Sequence, residues 1–303
     1  MSNPTRFQMQ IGSMLPHIQL RYAEPLARHT SFRIGGPAEV MAFPESREQL
    51  AELLKVSALL DCEPVILGSG TNILAPDEGL PGLVICLKDG LRDLNRIDDT
   101  DIYVGSGVSM TKAAVFAEGL GLSGLEFAHG IPGSVGGGVY MNAGAYGGEI
   151  GDICKYVDVM ERDGTVRRLE SPDMGFAYRK SNLMGTDSII LGAAFTLVPG
   201  DPDQIRRKMQ ELQQKRRASQ PLEYPSAGSA FKRPVGGYAA ALIDQAGLKG
   251  FSIGGAAVSE KHAGFVINLG GASAADVRAL LDEVAGIVME KSGIYLEPEI
   301  RIL

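Results

Sequence analysis

Gly130-Ile-Pro-Gly-Ser-Val-Gly-Gly-Gly-Val-Tyr-Met-Asn-Ala-Gly-Ala-Tyr-Gly-Gly148 holds eight glycines in nineteen residues. Glycine loses more conformational freedom on folding than any other residue, so this density destabilises the chain unless something requires it. A large, flat, anionic ligand lying against main chain is one such requirement; an unusual set of turns is the other. A smaller cluster, Gly68-Ser-Gly-Thr-Asn-Ile73, follows Pro64-Val-Ile-Leu67, which reads as a short buried strand. Its spacing approaches the dinucleotide fingerprint, but Ile73 replaces the last glycine and Pro76 disfavours a helix opening at the loop. What remains is either a tight structural turn or a loop that bares main-chain N–H groups. In the second case Ser69, Thr71 and Asn72 add donors, a chemistry suited to pyrophosphate. Two such loops in adjacent units suggest a diphosphate cofactor held by both.

Working outward, the 303 residues suffice for two or three domains, and 45% hydrophobic with 21% charged residues is an ordinary globular composition. Residues 20–90 read as a small α/β unit. Within it Ser46 caps a helix to Leu60, with Gln49 at the capping-box position and Leu50, Leu53 and Leu54 on one face. Residues 91–200 read as a second unit. It has a strand over Asp101–Gly105, a helix after Ser109, a hairpin turning at Asp163-Gly164 and a strand from Ser188 to Val198. Residues 201–303 form a third, with helices over Pro202–Ala218, Gly237–Ala246 and Ser273–Lys291, and an alternating strand over Ile294–Leu303. Residues 1–20 read as a loose arm or short helix.

Several chemistries are set aside. A net charge of −7 argues against nucleic acid as a partner. Cys62, Cys86 and Cys154 are far apart and read as buried free thiols. His17, His29, His129 and His262 are scattered, so no metal site is expected. No secretory leader and no apolar run of membrane length is visible, which implies a cytoplasmic setting. Gly250-Phe-Ser-Ile-Gly254 matches the hydrolase pattern G-x-S-x-G, but a Gly-Gly pair follows where a helix is needed.

Three further segments carry candidate catalytic side chains: Tyr178-Arg-Lys-Ser181, Ser226-Ala-Gly-Ser-Ala-Phe231 and Glu297-Pro-Glu299. The basic end of the helix near residue 217 either complements the helix dipole or meets an acidic ligand.

In chain order these motifs, with His29-Thr-Ser-Phe-Arg-Ile-Gly-Gly36 and Asn142-Ala-Gly-Ala-Tyr-Gly147, resemble the UDP-N-acetylenolpyruvoylglucosamine reductases, also termed UDP-N-acetylmuramate dehydrogenases. The resemblance spans about residues 20–303 and is to the shorter branch, which lacks an inserted tyrosine loop. It implies an α+β fold: a two-part FAD-binding module of the vanillyl-alcohol oxidase (PCMH) type plus a C-terminal α/β substrate domain. It also implies non-covalent FAD and an NADPH-dependent oxidoreductase. The reaction is reduction of the enolpyruvyl C=C of UDP-N-acetyl-3-O-(1-carboxyvinyl)-glucosamine to UDP-N-acetylmuramate, in peptidoglycan precursor synthesis. A monomer acting on small-molecule substrates is expected.

Hydride delivery to the terminal methylene carbon leaves an enolate, which needs electrophiles and one positioned proton donor. The resemblance places Arg179 and Glu299 at the enolate and makes Ser229 the proton donor. Arg179 suits its task because it is always charged and grips a carboxylate with two bonds. Glu299 is expected to be protonated there, since an anion beside an enolate is unfavourable. Gly68, Ser69, Gly70, Thr71, Asn72, Gly133, Ser134 and Gly137 are expected to hold the FAD pyrophosphate. Arg217 and Lys232 are expected at the UDP diphosphate.

Overall fold

A computed structural model describes residues 4–303, and the chain divides into two compact units. Of the described residues, the first comprises those up to Ala23, Glu39–Ser69 and Pro81–Gln214; the second comprises Glu24–Ala38, Gly70–Leu80 and Lys215–Leu303.

The expected N-terminal arm is largely a helix, α1 (Arg6–Met14), started by a capping box between Thr5 and Gln8; residues 1–3 lie outside the described residues. α2 (Arg47–Leu59) begins at Ser46 and buries Leu50, Leu53 and Leu54, as the spacing predicts. Gln49 does not close a capping box with Ser46: its side chain accepts from the Glu45 N–H at 2.8 Å. Strands Gln19–Pro25, Pro37–Phe43, Leu80–Cys86 and Val65–Leu67 form a sheet in that order, the last two parallel. A parallel pair needs a crossover, and residues 68–79, which include the first glycine cluster, supply it.

The five-stranded sheet of the first unit is antiparallel, in the order Val166–Glu170, Cys154–Met160, Ile189–Thr196, Asp101–Gly105, Leu94–Arg96. Asp163-Gly164 makes its predicted turn, with Gly164 at φ 85°. α3 (Met110–Gly119), capped by Ser109, α4 (Val135–Tyr140) and α5 (Ile150–Ile153) complete this half. Ile102, Val104, Val135, Val139, Val157 and Phe195 share one core, while Val40, Leu50, Leu53, Ile85 and Leu191 share another. α6 (Pro202–Ser219) follows.

The second unit has an antiparallel sheet in the order Ser226–Ser229, Phe265–Asn268, Ala256–Val258, Ser252–Ile253, with α7 (Ala239–Gln245) and α8 (Ala274–Ser292). Phe32, Ile34 and Leu74, from the two short N-terminal insertions, are buried with Phe231, Val277, Leu280 and Val284. The expected strand over Ile294–Leu303 is confined to Arg301–Ile302, which runs parallel to Ile73–Leu74. The residues before it pair otherwise. Phe231 and Pro298 form an isolated bridge, flanked by Lys232 N→Glu297 O and Glu299 N→Ala230 O, both 2.9 Å. Pro298 has no N–H to give a ladder.

Ser252 is exposed on its short strand and Gly254-Gly255 leads into another strand, so no nucleophile elbow forms. Burial pushes the Cys154 thiol up to about 12 and raises Cys86 and Cys62, so none is poised as a thiolate. Among the described residues no metal-ligating cluster occurs, and no helix is long and apolar enough to cross a membrane.

Candidate active site

The stretch of glycines from Gly136 to Gly138 is helical, not a set of turns. Each glycine costs roughly 1 kcal/mol in a helix relative to alanine, so packing must supply the reason. A Cβ on Gly136 would lie 2.8 Å from Ser106 Cβ, and one on Gly138 would lie 2.7 Å from Met110 Sδ. Main-chain bonds lock the same approach: Gly136 N→Ser106 O at 2.9 Å and Val135 N→Val108 O at 2.8 Å. Gly137 differs. It is exposed, and its Cβ would meet only Ser134 Oγ at 3.6 Å, an ordinary contact. The protein's own packing therefore accounts for Gly136 and Gly138 but not for Gly137.

Ser134 caps this helix, is 3% exposed and accepts from Gly137 N at 3.5 Å. A Cβ on Gly68 would lie 2.8 Å from Ser134 Oγ, so the two glycine clusters abut within the first unit. Gly133 at φ 136° lies where side chains are strained. The main-chain N–H groups of Ser69 and Ser134 have no acceptor among the described residues. In the same unit, Ser106 Oγ and His129 Nδ1 are buried without a hydrogen bond in the protein, which costs about 1–3 kcal/mol each unless a polar ligand group answers. Flat bare backbone, unspent donors and buried polar atoms together fit a diphosphate cofactor.

Arg179 sits on a tight turn closed by Ala177 N→Lys180 O and Lys180 N→Ala177 O, both 3.0 Å. Its own φ is 54°, a left-handed conformation costing a non-glycine residue about 1–2 kcal/mol. Its Nη2 donates to Gly144 O at 3.0 Å and its guanidinium lies 5.0 Å from the Tyr178 ring centroid. Asn142 holds this turn. Fully buried and itself at φ 44°, it donates to Ala177 O (3.0 Å) and Glu149 Oε1 (2.9 Å) and accepts from Gly151 N (2.8 Å). Ser181, 1% exposed, donates to Tyr140 O at 2.7 Å. The surrounding bonds hold Arg179 in this strained conformation.

In the second unit the pairing of residues 230–232 with 297–299 brings the segments bearing Ser229 and Glu299 together. Ser229 ends its strand exposed, after Gly228 at φ 78°, and Glu299 is half-buried. Lys232 Nζ lies 2.5 Å from Glu297 Oε1. Arg217 is exposed, and its carbonyl accepts from Lys261 Nζ at 2.8 Å. The adjacent Arg216 is the buried one, 7% exposed. The sequence carried that signal, for Arg216 continues the buried stripe of Ile205, Met209 and Leu212 along α6. Gly70 and Asn72 also face protein: a Cβ on Gly70 would collide with His29 O, and Asn72 Nδ2 donates to Glu299 O at 3.0 Å.

Residues 38–170 match the model of an FAD-binding domain, and residues 220–303 match that of the UDP-N-acetylenolpyruvoylglucosamine reductase C-terminal domain. The reductase of that name from Caldanaerobacter subterraneus is 45% identical over 97% of both chains, and that of Agathobacter rectalis is 43% identical over 98% of both. The crystal structure of UDP-N-acetylenolpyruvylglucosamine reductase from Thermus caldophilus superposes with a TM-score of 0.78 at 35% identity, covering 94% of this chain and 98% of that one. An alkyldihydroxyacetonephosphate synthase, 15% identical, shares the fold alone over 66% of this chain and 42% of its own, with a TM-score of 0.51.

Proposed function

Because the chain belongs to the UDP-N-acetylenolpyruvoylglucosamine reductase family, we propose that it reduces the enolpyruvyl ether of its UDP-sugar substrate to UDP-N-acetylmuramate with NADPH. It is an FAD-dependent oxidoreductase of peptidoglycan precursor synthesis, with the two-part flavin module of the PCMH type. What bound FAD supplies is the relay of hydride from NADPH to the terminal methylene carbon. Gly68, Ser69, Thr71, Gly133, Ser134 and Gly137 hold its pyrophosphate, whereas Gly70 and Asn72 face protein; the exposed Gly137, which protein packing does not require, best supports that assignment.

Ser229 hands its proton to the carbon bearing the ether oxygen. A hydroxyl is a weak acid, but an enolate is basic enough to take its proton, and a side chain this small next to Gly228 reaches without crowding. Arg179 meets the substrate carboxylate, where its fixed charge stabilises the enolate. Glu299 serves the same centre as a protonated carboxyl that donates instead of repelling. Lys232 and Arg217 take the UDP diphosphate, and the link from Lys232 to Glu297 fixes where that lysine can reach. The single observation that carries the assignment is the main-chain pairing of 230–232 with 297–299, which joins the segment that bears Ser229 to the one that bears Glu299. We assign residues 20–90 and 91–200 to the flavin module and 201–303 to the substrate domain. The protein works as a cytoplasmic monomer, where NADPH and nucleotide sugars are available.

The test is anaerobic. Flavin absorbance should bleach on addition of NADPH and return only with the enolpyruvyl sugar nucleotide, and Ser229→Ala should stop the return by at least 10²-fold. Return with oxygen and an alcohol or sugar instead would make the protein an oxidase of the same fold. A Glu299→Gln variant whose pH–rate profile matches the parent would remove the protonated-carboxyl role.

A further inference from the structure

Four hydrogen bonds and two short runs of chain close a ring in the second unit. Ser31 N donates to Gly70 O at 3.1 Å, and Ser31 Oγ donates to Ser226 O at 2.6 Å. From Ser226 the chain runs through Ser229 to Ala230, whose carbonyl accepts from Glu299 N at 2.9 Å. Glu299 O then accepts from Asn72 Nδ2 at 3.0 Å, and residues 72–70 return to the start. Ser31 and Asn72 are the side-chain links of this ring. We infer that Ser31 and Asn72 are positioning residues that fix the segments of Ser229 and Glu299 for proton delivery, tying both to the turn at Gly70–Asn72.

The local chain explains why such links are needed. Ser229 is exposed and follows a glycine in the left-handed region, and within its own sheet it is held by the pairing with Phe265 and by Ala230 N→Gly264 O at 2.8 Å. The ladder it leaves is irregular: Ser226 pairs with Ile267 and Ser229 with Phe265, with a register shift between them. Ser31 pins the start of that irregular segment and the bond from Glu299 pins its end. Glu299 follows Pro298, which cannot donate to a neighbour, so its segment relies on the Ala230 contact from one side and on Asn72 from the other. Asn72 is further anchored where its carbonyl accepts from Arg301 N at 3.0 Å. Ser31 is anchored by Thr30, whose Oγ1 donates to Ile34 O at 3.0 Å. Misplacing a reacting group by about 1 Å can cost on the order of 10²-fold in rate, so a ring that removes that freedom acts on the chemical step.

The inference rests on the reductase reading, and the experiment separates the two. Using the FAD-loaded full chain, flavin bleaching by NADPH and flavin return with the enolpyruvyl sugar nucleotide are timed separately. Ser31→Ala and Asn72→Ala should each slow the return roughly 10- to 100-fold and enlarge its solvent deuterium isotope effect, since proton delivery becomes limiting. In Ser31→Ala, bleaching and the affinity of the apoprotein for FAD, measured by flavin fluorescence, should change less than about 3-fold. Ser31→Thr, which keeps the hydroxyl, should recover most of the rate. The double variant should fall little below the worse single variant, because either break opens the same ring.

Equal slowing of bleaching and return, or loss of FAD affinity in step with rate, would make Asn72 a flavin contact and overturn the inference. So would unchanged return in both single variants. If Asn72→Ala fails to fold, Ser31→Ala and Ser31→Thr decide alone. A parent protein that neither bleaches nor returns would defeat the reductase reading instead.

Discussion

At Gly70 an added Cβ would strike the carbonyl oxygen of His29, with φ at 62°; at Gly137 it would find only Ser134 Oγ, 3.6 Å away. The two residues sit in the two glycine clusters that dominate the sequence, and they look alike there. The first is glycine because its own protein leaves no room and the backbone is left-handed. The second is glycine in a helix, with room to spare, so packing does not require it, and we assign the demand to the bound cofactor. Between them stand Gly136 and Gly138, which are glycine because a helix is pressed against Ser106 and Met110.

Substitutions can break this contrast or sharpen it. The largest effect belongs to Gly70→Ala, where strain and collision with main chain act together. It should destabilise the protein by about 3 kcal/mol or more, read as a lower urea midpoint at unchanged slope, with loss of turnover from the disturbed ring. Asn142→Ala comes next. Removing three bonds around a buried, strained turn should cost about 2–3 kcal/mol, and substrate turnover should fall further than the folded fraction does, because Arg179 loses its support. Gly136→Ala should destabilise by about 1–2 kcal/mol, with Gly138→Ala milder because the flexible Met110 can move.

Gly137→Ala should go the other way in calorimetry, raising stability by up to about 1 kcal/mol through helix propensity, while FAD affinity drops at least tenfold. A Gly137→Ala protein that keeps its FAD affinity would remove the ligand from the explanation of this glycine. The smallest effect concerns pH. Burial holds His262 below its ordinary value of 6.5, so the folded state favours the neutral ring. The unfolded chain then binds the extra proton, and stability present above pH 6.5 should decline as pH falls through the depressed value. His262→Gln should flatten that part of the stability profile.

Much of this was open to reading along the chain. Ser46 caps the helix it is expected to cap, Ser109 and Ser273 cap helices expected to start there, and Asp163-Gly164 turns its hairpin, because capping and turn chemistry act within four residues. The helix through Gly136–Gly138 was hidden, since propensity opposes it and the packing that overrides propensity comes from Ser106 and Met110. Arg216 was legible in the period of α6 but stood beside the more obviously exposed Arg217. The C-terminal stretch alternates as a strand would, yet Pro298 and the pairing with 230–232 leave Arg301–Ile302 as its strand.

By itself the sequence determined the family resemblance, the two glycine-rich loops and the starts of the helices, and it nominated Ser229, Arg179 and Glu299, because motif order and short-range chemistry are written locally. Tertiary structure alone decided that residues 24–38 and 70–80 pack with the C-terminal segment. It also decided that Asn72 gives its amide to Glu299, 227 positions away, and which glycines the protein's own packing requires. Contacts across that much chain leave no local period or propensity behind; they exist only where the folded backbone brings a donor within 3.0 Å of its acceptor.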